Sequence, residues 1–285
     1  MKKILLQLDC DPQPSVFDSV VAVDADIDAL FRHGNVDPRQ VRDLVHGLMF
    51  TRAPRDLNNS AIFIGGSNVM VAESLLKEVK ESFFGPLRVS VMFDANGSNT
   101  TAAAAIVCAA RHLKLAETTA VVLAGTGPVG QRAARLLLRQ GATVRLASRS
   151  LERAESVVES LKERYPSGNI QPVVNDQLSD ALAGAQLILS AGAAGVQMLE
   201  ATIRKNLPDL KVAIDLNAVP PGGLEGIEPH DNATDRDGQI CYGAIGVGGP
   251  KMKIHKQALS RLFEQNDLVL DAEEIFDLGV KQERW

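Results

Sequence analysis

The chain has 285 residues, 45% of them hydrophobic and 23% charged, with a formal net charge of −5. That length accommodates two domains with cores of ordinary size, and the composition is that of a soluble globular protein. The acidic balance excludes general binding to nucleic acid or to an anionic membrane surface, leaving room only for a local basic pocket. No apolar run approaches membrane-spanning length, so no membrane association is expected. Cys10, Cys108 and Cys241 are scattered and form no CxxC. They read as small buried hydrophobes in a reducing compartment, not as disulfides or metal ligands, and no metal site is expected. Lys2 and Lys3 precede an apolar stretch that Gln7, Asp9 and Asp11 interrupt too early for a secretion signal, which predicts a cytoplasmic location.

In chain order, Ile4 to Leu8 predicts a strand, and Asp9-Cys10-Asp11-Pro12 a turn. Ser15 is a plausible N-cap for a helix running through Leu30. Asp37-Pro38 supplies the cap and first-turn proline of a second helix. Ala61 to Ile64 is a buried strand, Gly65 to Asn68 leads into a helix ending near Ser82, and Val89 to Phe93 is the next strand. A polar run follows, Asp94-Ala95-Asn96-Gly97-Ser98-Asn99-Thr100-Thr101, and then an Ala-rich helix from Thr101 to about Leu115. The first hundred residues therefore alternate strand and helix as a small α/β domain.

Thr119 to Ser150 is the most legible stretch. The apolar run Ala120 to Ala124 passes into Gly125-Thr126-Gly127-Pro128-Val129-Gly130, a helical segment follows to Gln140, and Gly141 to Ala147 is a second strand. This is a βαβ unit whose glycines allow a sharp turn at Gly125, close approach of a pyrophosphate at Gly127, and tight helix–strand packing at Gly130. The helix N-terminus then offers free N–H groups to the phosphates. An NAD site would carry Asp or Glu at the end of the second strand. The chain instead reads Ser148-Arg149-Ser150, a guanidinium with two hydroxyls suited to a 2′-phosphate, so the expected cofactor is NADP. Ser148 or Ser150 also suits the cap of the helix starting near Leu151.

Further strands are expected at 170–174, 186–190 and 211–216. Two of them end in small, glycine-rich runs, Ser190-Ala191-Gly192-Ala193-Ala194-Gly195 and Asp215-Leu216-Asn217-Ala218-Val219-Pro220-Pro221-Gly222, where a nicotinamide would approach backbone; plain loop composition explains these residues equally well. Gly243 to Gly249 reads as a loop, with Pro250 in the first turn of a helix that reaches Glu264. Lys251, Lys253 and Lys256 would then crowd a helix N-terminus, inviting an anionic ligand unless all three are solvated. Leu268 to Val280 ends in a helix.

Several motifs together resemble the NADP-dependent methylene-tetrahydromethanopterin dehydrogenases, some of which also act on methylene-tetrahydrofolate. They are Pro14-Ser15-Val16-Phe17-Asp18, Phe83-Phe84-Gly85-Pro86, Asp94 to Thr101, Val121 to Gly130, Asn217-Ala218-Val219-Pro220-Pro221, Gly243-Ala244-Ile245-Gly246 with Lys251, and Asp271 to Phe276. The similarity runs nearly full length, with departures at 53–60 and 281–285. The resemblance implies a doubly wound parallel-sheet (Rossmann) NADP domain, residues 106–265, inserted into a smaller α/β substrate domain, residues 1–105 plus 266–285, with a reduced pterin in the cleft. It assigns Lys251 to substrate positioning and Ser15, Asp18, Asp94, Asn96, Asn99 and Asn217 to the pterin side. It further implies a homo-oligomer.

The implied reaction, in one-carbon metabolism, moves a hydride from a methylene bridge to NADP. The cation left behind is stabilised by two nitrogen lone pairs, so no proton abstraction is needed, and contact between cofactor and substrate at about 3–3.5 Å suffices. Neither Tyr165 nor Tyr242 is followed by the lysine of the Tyr-x-x-x-Lys motif that related folate cyclohydrolases use, so no cyclohydrolase activity is expected. His255 reads as structural or solvent-facing. The alternatives are a shikimate-dehydrogenase-like reductase, whose Lys/Asp proton-transfer pair is not evident because Lys77 and Lys80 fall on an ordinary helix, and a non-catalytic NADPH-binding regulator.

Overall fold

The computed structural model describes residues 1–174 and 178–283, so positions 284 and 285 of the divergent tail lie outside it. The chain divides into two compact units, Met1–Thr100 together with the chain from Met252 onward, and Thr101–Lys251. The crossings expected at 105/106 and 265/266 fall at 100/101 and 251/252, each within a helix.

In the first unit, β1 (Ile4–Asp9) leads to α1 (Val16–Asp24), which starts where Ser15 Oγ accepts the Asp18 N–H at 3.2 Å. The expected continuation of α1 to Leu30 does not occur. Asp26 takes a left-handed φ of 58°, and Ala29–His33 forms β2, parallel to β1 at the sheet edge. Val20, Val23, Ile27 and Leu30 have helical spacing, but the N–H groups of Asp28 and Ala29 bond to Lys3 O and direct this segment onto β1. Helix α2 (Pro38–Met49) has the expected proline start, completed by a capping box between Asp37 and Gln40. Next come β3 (Ser60–Gly65), α3 (Val69–Glu81), capped by Asn68, and β4 (Ser90–Phe93). Every residue of β3 and β4 is buried, as parallel strands covered on both faces require. Leu6, Leu8, Ile62, Ile64 and Val91 form one core with Val41, Val45, Leu75 and Val79.

Helix α4 (Ser98–Ala110) starts before the expected Thr101 and ends before Leu115, which belongs to a separate short turn. The second unit then runs β5 (Thr119–Leu123), α5 (Pro128–Arg139), β6 (Thr143–Ser148), α6 (Leu151–Arg164) and β7 (Ile170–Val174). It continues through α7 (Leu178–Leu182), β8 (Leu187–Ser190), α8 (Ala201–Lys205), β9 (Val212–Asp215), β10 (Asn232–Arg236) and β11 (Gln239–Tyr242). The seven-stranded sheet has the order β10-β11-β9-β8-β5-β6-β7. All its pairs are parallel except β10–β11, and the winding reverses between β5 and β8. This is the doubly wound arrangement expected, and in such sheets ligands bind beyond the strand ends at the reversal. The β10–β11 hairpin was not anticipated, because Asn232–Arg236 carries no apolar pattern. Its one signal is Asp237-Gly238, both at positive φ in the turn.

The chain then forms α9 (Ala244–Arg261), β12 (Val269–Leu270) and α10 (Ala272–Glu283). Strand β12 joins β4, giving the first unit a parallel five-stranded sheet of order β12-β4-β3-β1-β2. The expected glycine loop before Pro250 is a correction: α9 already begins at Ala244, and Pro250 is interior. A Cβ on Gly243 or Gly246 would collide with the carbonyl oxygens of Glu228 or Asp231, so these glycines let the helix start against that backbone. The N–H groups of Ile245 and Gly246 meet Pro229 O at 2.8 and 3.2 Å. Lys251, Lys253 and Lys256 therefore lie beyond the N-terminal turn, and no unfavourable dipole demands an anion beside them. Cys108 and Cys241 are buried, whereas Cys10 is only half-buried; all three thiols are free. Among the described residues no helix is long and apolar enough to cross a membrane.

Candidate functional site

The β5–α5 turn distributes its requirements differently from the sequence reading. The left-handed residue is Ala124, φ 53°, not Gly125. Gly125 is needed for space, because a Cβ there would stand 2.6 Å from Leu146 Cγ. At Gly130 a Cβ would stand 2.7 Å from Gly125 Cα, so this glycine sets how closely helix and turn pack. Gly127 is different. Its φ of −75° suits any residue, and a Cβ would meet only Ala124 O, at 3.5 Å. Among the described residues packing does not require glycine there, and the missing Cβ leaves the backbone open to close approach. Gly127 is also the N-cap of α5 and supplies no side-chain bond, so Pro128 and Val129 begin a helix whose N–H groups have no side-chain cap.

At the end of β6, Ser148 Oγ lies 3.4 Å from Thr126 Oγ1 and accepts the Ser150 N–H at 3.2 Å. Ser150 Oγ accepts the Arg153 N–H and caps α6, as the plain reading of Ser150 expected. Arg149 between them is exposed. Ser148 is thus tied to the glycine turn, while Arg149 is left reaching outward, where it can fork onto a phosphate.

The end of β8 adjoins the same turn, and the end of β9 adjoins that of β8. The Ala191 N–H bonds to Leu123 O at 3.1 Å, and a Cβ on Gly192 would meet the Met198 side chain at 3.2 Å. Asn217, 6% exposed, works for its loop. Its Nδ2 donates to Pro221 O at 3.1 Å and its Oδ1 accepts the Val219 N–H at 2.9 Å. Asn217 and Pro220 to Gly222 line a cavity of about 310 Å³. Thr126, Gly127, Ser148, Arg149, Ala191, Gly192 and Asn217 therefore form one row over adjacent strand ends, in the order β6, β5, β8, β9.

In the first unit the candidate substrate residues separate into two kinds. Ser15 and Asp18 share the first turn of α1, near the end of β3. A Cβ on Gly65 would stand 3.3 Å from Asp9 Oδ2 and 3.7 Å from Asp18 Oδ2. Asp9 was not singled out from the sequence. Burial pushes its carboxyl up, against bonds from the Asp11 and Ser15 N–H groups at 2.9 and 3.2 Å. Asp94 and Asn99 are fully buried. Asp94 caps α4, accepting the N–H groups of Asn99 and Thr100 at 2.9 and 3.0 Å and the Thr100 hydroxyl at 2.6 Å. Asn99 Nδ2 bonds to Phe93 O and Asp271 Oδ1. Of this run Asn96 alone is exposed, at φ 53°, its N–H on Gly66 O at 2.8 Å. The first unit has a cavity of about 610 Å³, lined by Cys10, Asp11, Asn35, Asp37 and Asn68 among others and by none of the candidate residues.

Lys251 is half-buried within α9. His255 is fully buried, its ring 5.8 Å from that of Phe63 and 6.3 Å from that of Phe17, a structural placement. Asp9, Cys10 and Asp11 lie close enough to share a cation, but Asp9 and Asp11 are already engaged by backbone and Ser67 donors.

Two family models match the chain. One, described as methylene-tetrahydromethanopterin dehydrogenase, N-terminal, covers residues 16–96, and one described as shikimate/quinate 5-dehydrogenase covers residues 108–231. Bifunctional protein MdtA of Methylorubrum extorquens is 41% identical over 282 residues, 98% of each chain. A protein of the same organism named NAD(P)-dependent methylenetetrahydromethanopterin dehydrogenase is 33% identical over 281 residues, 94% of each. Among solved structures, shikimate 5-dehydrogenase of Listeria monocytogenes, in complex with shikimate and NAD, superposes with a TM-score of 0.53 at 12% identity, over 97% of this chain and 96% of that one. At that identity the likeness establishes the Rossmann-type dehydrogenase fold. With two near-full-length relatives above 30% identity, the chain belongs to the methylene-tetrahydromethanopterin dehydrogenase family.

Proposed function

We propose that the protein oxidises methylene-tetrahydromethanopterin to the methenyl form by direct hydride transfer to NADP, with methylene-tetrahydrofolate a secondary substrate. The observation that carries this reading is the row of strand-end groups. Arg149 and Ser148 would take the 2′-phosphate, Gly127 and the uncapped α5 N-terminus the pyrophosphate, and Ala191, Gly192 and Asn217 the nicotinamide side. The relative named as NAD(P)-dependent supports the cofactor class. Asp18, Asn96 and Ser15 are the groups of the first unit assigned to the pterin, and Lys251 is assigned to positioning it. Asp94 and Asn99 serve by holding the Asn96 turn in shape. The protein is further assigned no cyclohydrolase activity, a cytoplasmic location and a homo-oligomeric state.

The test is absorbance on mixing the protein with NADP and each methylene carrier in turn. A rise with the methanopterin adduct is expected, and silence with both carriers removes the reading. Shikimate-type chemistry is disfavoured because the shikimate-type match lies wholly within residues 108–231. In the first unit, moreover, Lys77 is 72% exposed and pairs with Glu81 on the surface of α3. A non-catalytic regulator would bind NADPH and turn over neither substrate.

A further inference from the structure

We infer that Asp215 is a positioning residue that closes the nicotinamide-side loop through both of its oxygens. Asp215 is the last residue of β9 and is 1% exposed. Its Oδ1 accepts the Asn217 N–H at 3.1 Å and its Oδ2 the Leu224 N–H at 3.0 Å, so one carboxylate pins the start and the finish of the same loop. The Gly223 N–H points to the carboxylate as well. Glycines at 222 and 223 make this possible, because a Cβ on Gly222 would stand 3.0 Å from Oδ2 and one on Gly223 2.7 Å from Oδ1.

The clamp reaches the neighbouring loop. Gly223 O accepts the N–H groups of Met198 and Leu199 at 2.7 and 3.1 Å, which ends the excursion that begins at Ala191. Both loops beyond β8 and β9 are thereby fixed to one buried carboxylate. Burial pushes that carboxyl above its usual range, and its backbone partners oppose the shift. A neutral apolar residue would be the cheaper occupant of this site if the loop needed no fixed height. What the charge fixes is how far Asn217 to Val219 stand off the strand ends, and so how deep a nicotinamide ring can lie. This inference rests on the cofactor row of the proposed function.

The experiment compares the full-length protein with Asp215→Asn, which keeps one acceptor and turns the other atom into a donor, and with Gly223→Ala, which leaves the carboxylate but pushes the loop away. Fluorescence anisotropy and emission of bound NADPH report the nicotinamide, and calorimetry with 2′,5′-ADP reports the adenosine end. Both variants are expected to bind 2′,5′-ADP as the parent does, to lose nicotinamide anisotropy, and to turn over about tenfold or more slowly, as misplacement of a reacting group entails. Folded variants with the parent's nicotinamide signal overturn the clamp, as does a parallel loss of 2′,5′-ADP affinity, which marks general loosening. If Asp215→Asn does not fold, Gly223→Ala decides alone. A parent protein that binds no NADPH refutes the cofactor reading instead.

Discussion

Gly130 and Gly125 approach so closely that a Cβ on the first would stand 2.7 Å from the Cα of the second. Gly127, between them, has room for a Cβ. One fingerprint thus contains two glycines demanded by packing and one that packing does not demand. Gly130→Ala is expected to destabilise the fold by about 1–3 kcal/mol through overpacking. Gly127→Ala should leave the melting temperature unchanged and weaken NADPH binding. Thermal unfolding and calorimetry on both variants check the contrast; an equal loss of stability in the two would show that packing explains the whole motif.

Arg149 is exposed at the end of β6, beside a Ser148 already tied to the glycine turn. Arg149→Ala is expected to weaken NADP by about 1–3 kcal/mol, the range for charge-assisted hydrogen bonds, with NAD little affected. Dissociation constants for both cofactors provide the check. Equal losses would move the phosphate reader elsewhere.

Lys251 lies inside α9 and not at its start, so its removal relieves no dipole strain. Lys251→Met is expected to lower turnover with the methylene carrier while NADPH affinity and melting temperature hold. Unchanged steady-state kinetics would return Lys251 to an ordinary half-buried helix position.

Asp231, 5% exposed, is held by Arg236, whose Nη2 lies 2.8 Å from Oδ1. Burial pushes this carboxyl up, but the bonds from Arg236 and the Glu228 N–H outweigh it and leave the group below its usual value. Such a group favours folding above its unfolded value of 3.8 and loses that contribution as pH falls through its lower folded value. Arg236→Ala should therefore cost about 1–3 kcal/mol near neutrality, as a buried acceptor loses its donor, with the deficit shrinking below about pH 4. Denaturant titrations at pH 7 and pH 3 measure it; a deficit independent of pH would mean that Arg236 acts by packing alone.

The β5–α5–β6 unit was legible because strand period and glycine spacing agree there, and α6 starts at Leu151, as its Ser150 cap suggested. Strand β2 was not legible, since Val20, Val23, Ile27 and Leu30 keep a helical spacing that only pairing with β1 overrides. The start of α9 was hidden for a related reason. Gly243 and Gly246 look like loop residues until the backbone of Glu228 to Asp231 is seen pressed against them. Within the candidate site, the run from Asp94 to Thr101 looked uniformly fit for a ligand. Composition cannot say which polar groups point inward, and here Asp94 turns into the cap of α4 and Asn99 onto Phe93 O and Asp271, while Asn96 is exposed. In the sequence Asp215 reads only as part of the strand ending Asp215 to Gly222, with no role of its own, because an acid in that position shows its purpose only through the loop it holds.

Strand β12 gives the first unit a property of timing. Val269 and Leu270 pair with Val91 and Met92, Ser90 Oγ bonds to Gln265 O at 2.8 Å, and Asn99 reaches Asp271. During synthesis the first hundred residues emerge with that flank of β4 bare, while the whole nucleotide-binding body is made before the missing strand arrives. The segment made first is therefore completed last. A chain that has emerged only as far as Lys251 would carry a finished nucleotide lobe and a four-stranded sheet open along β4, a state in which a chaperone would find that edge exposed.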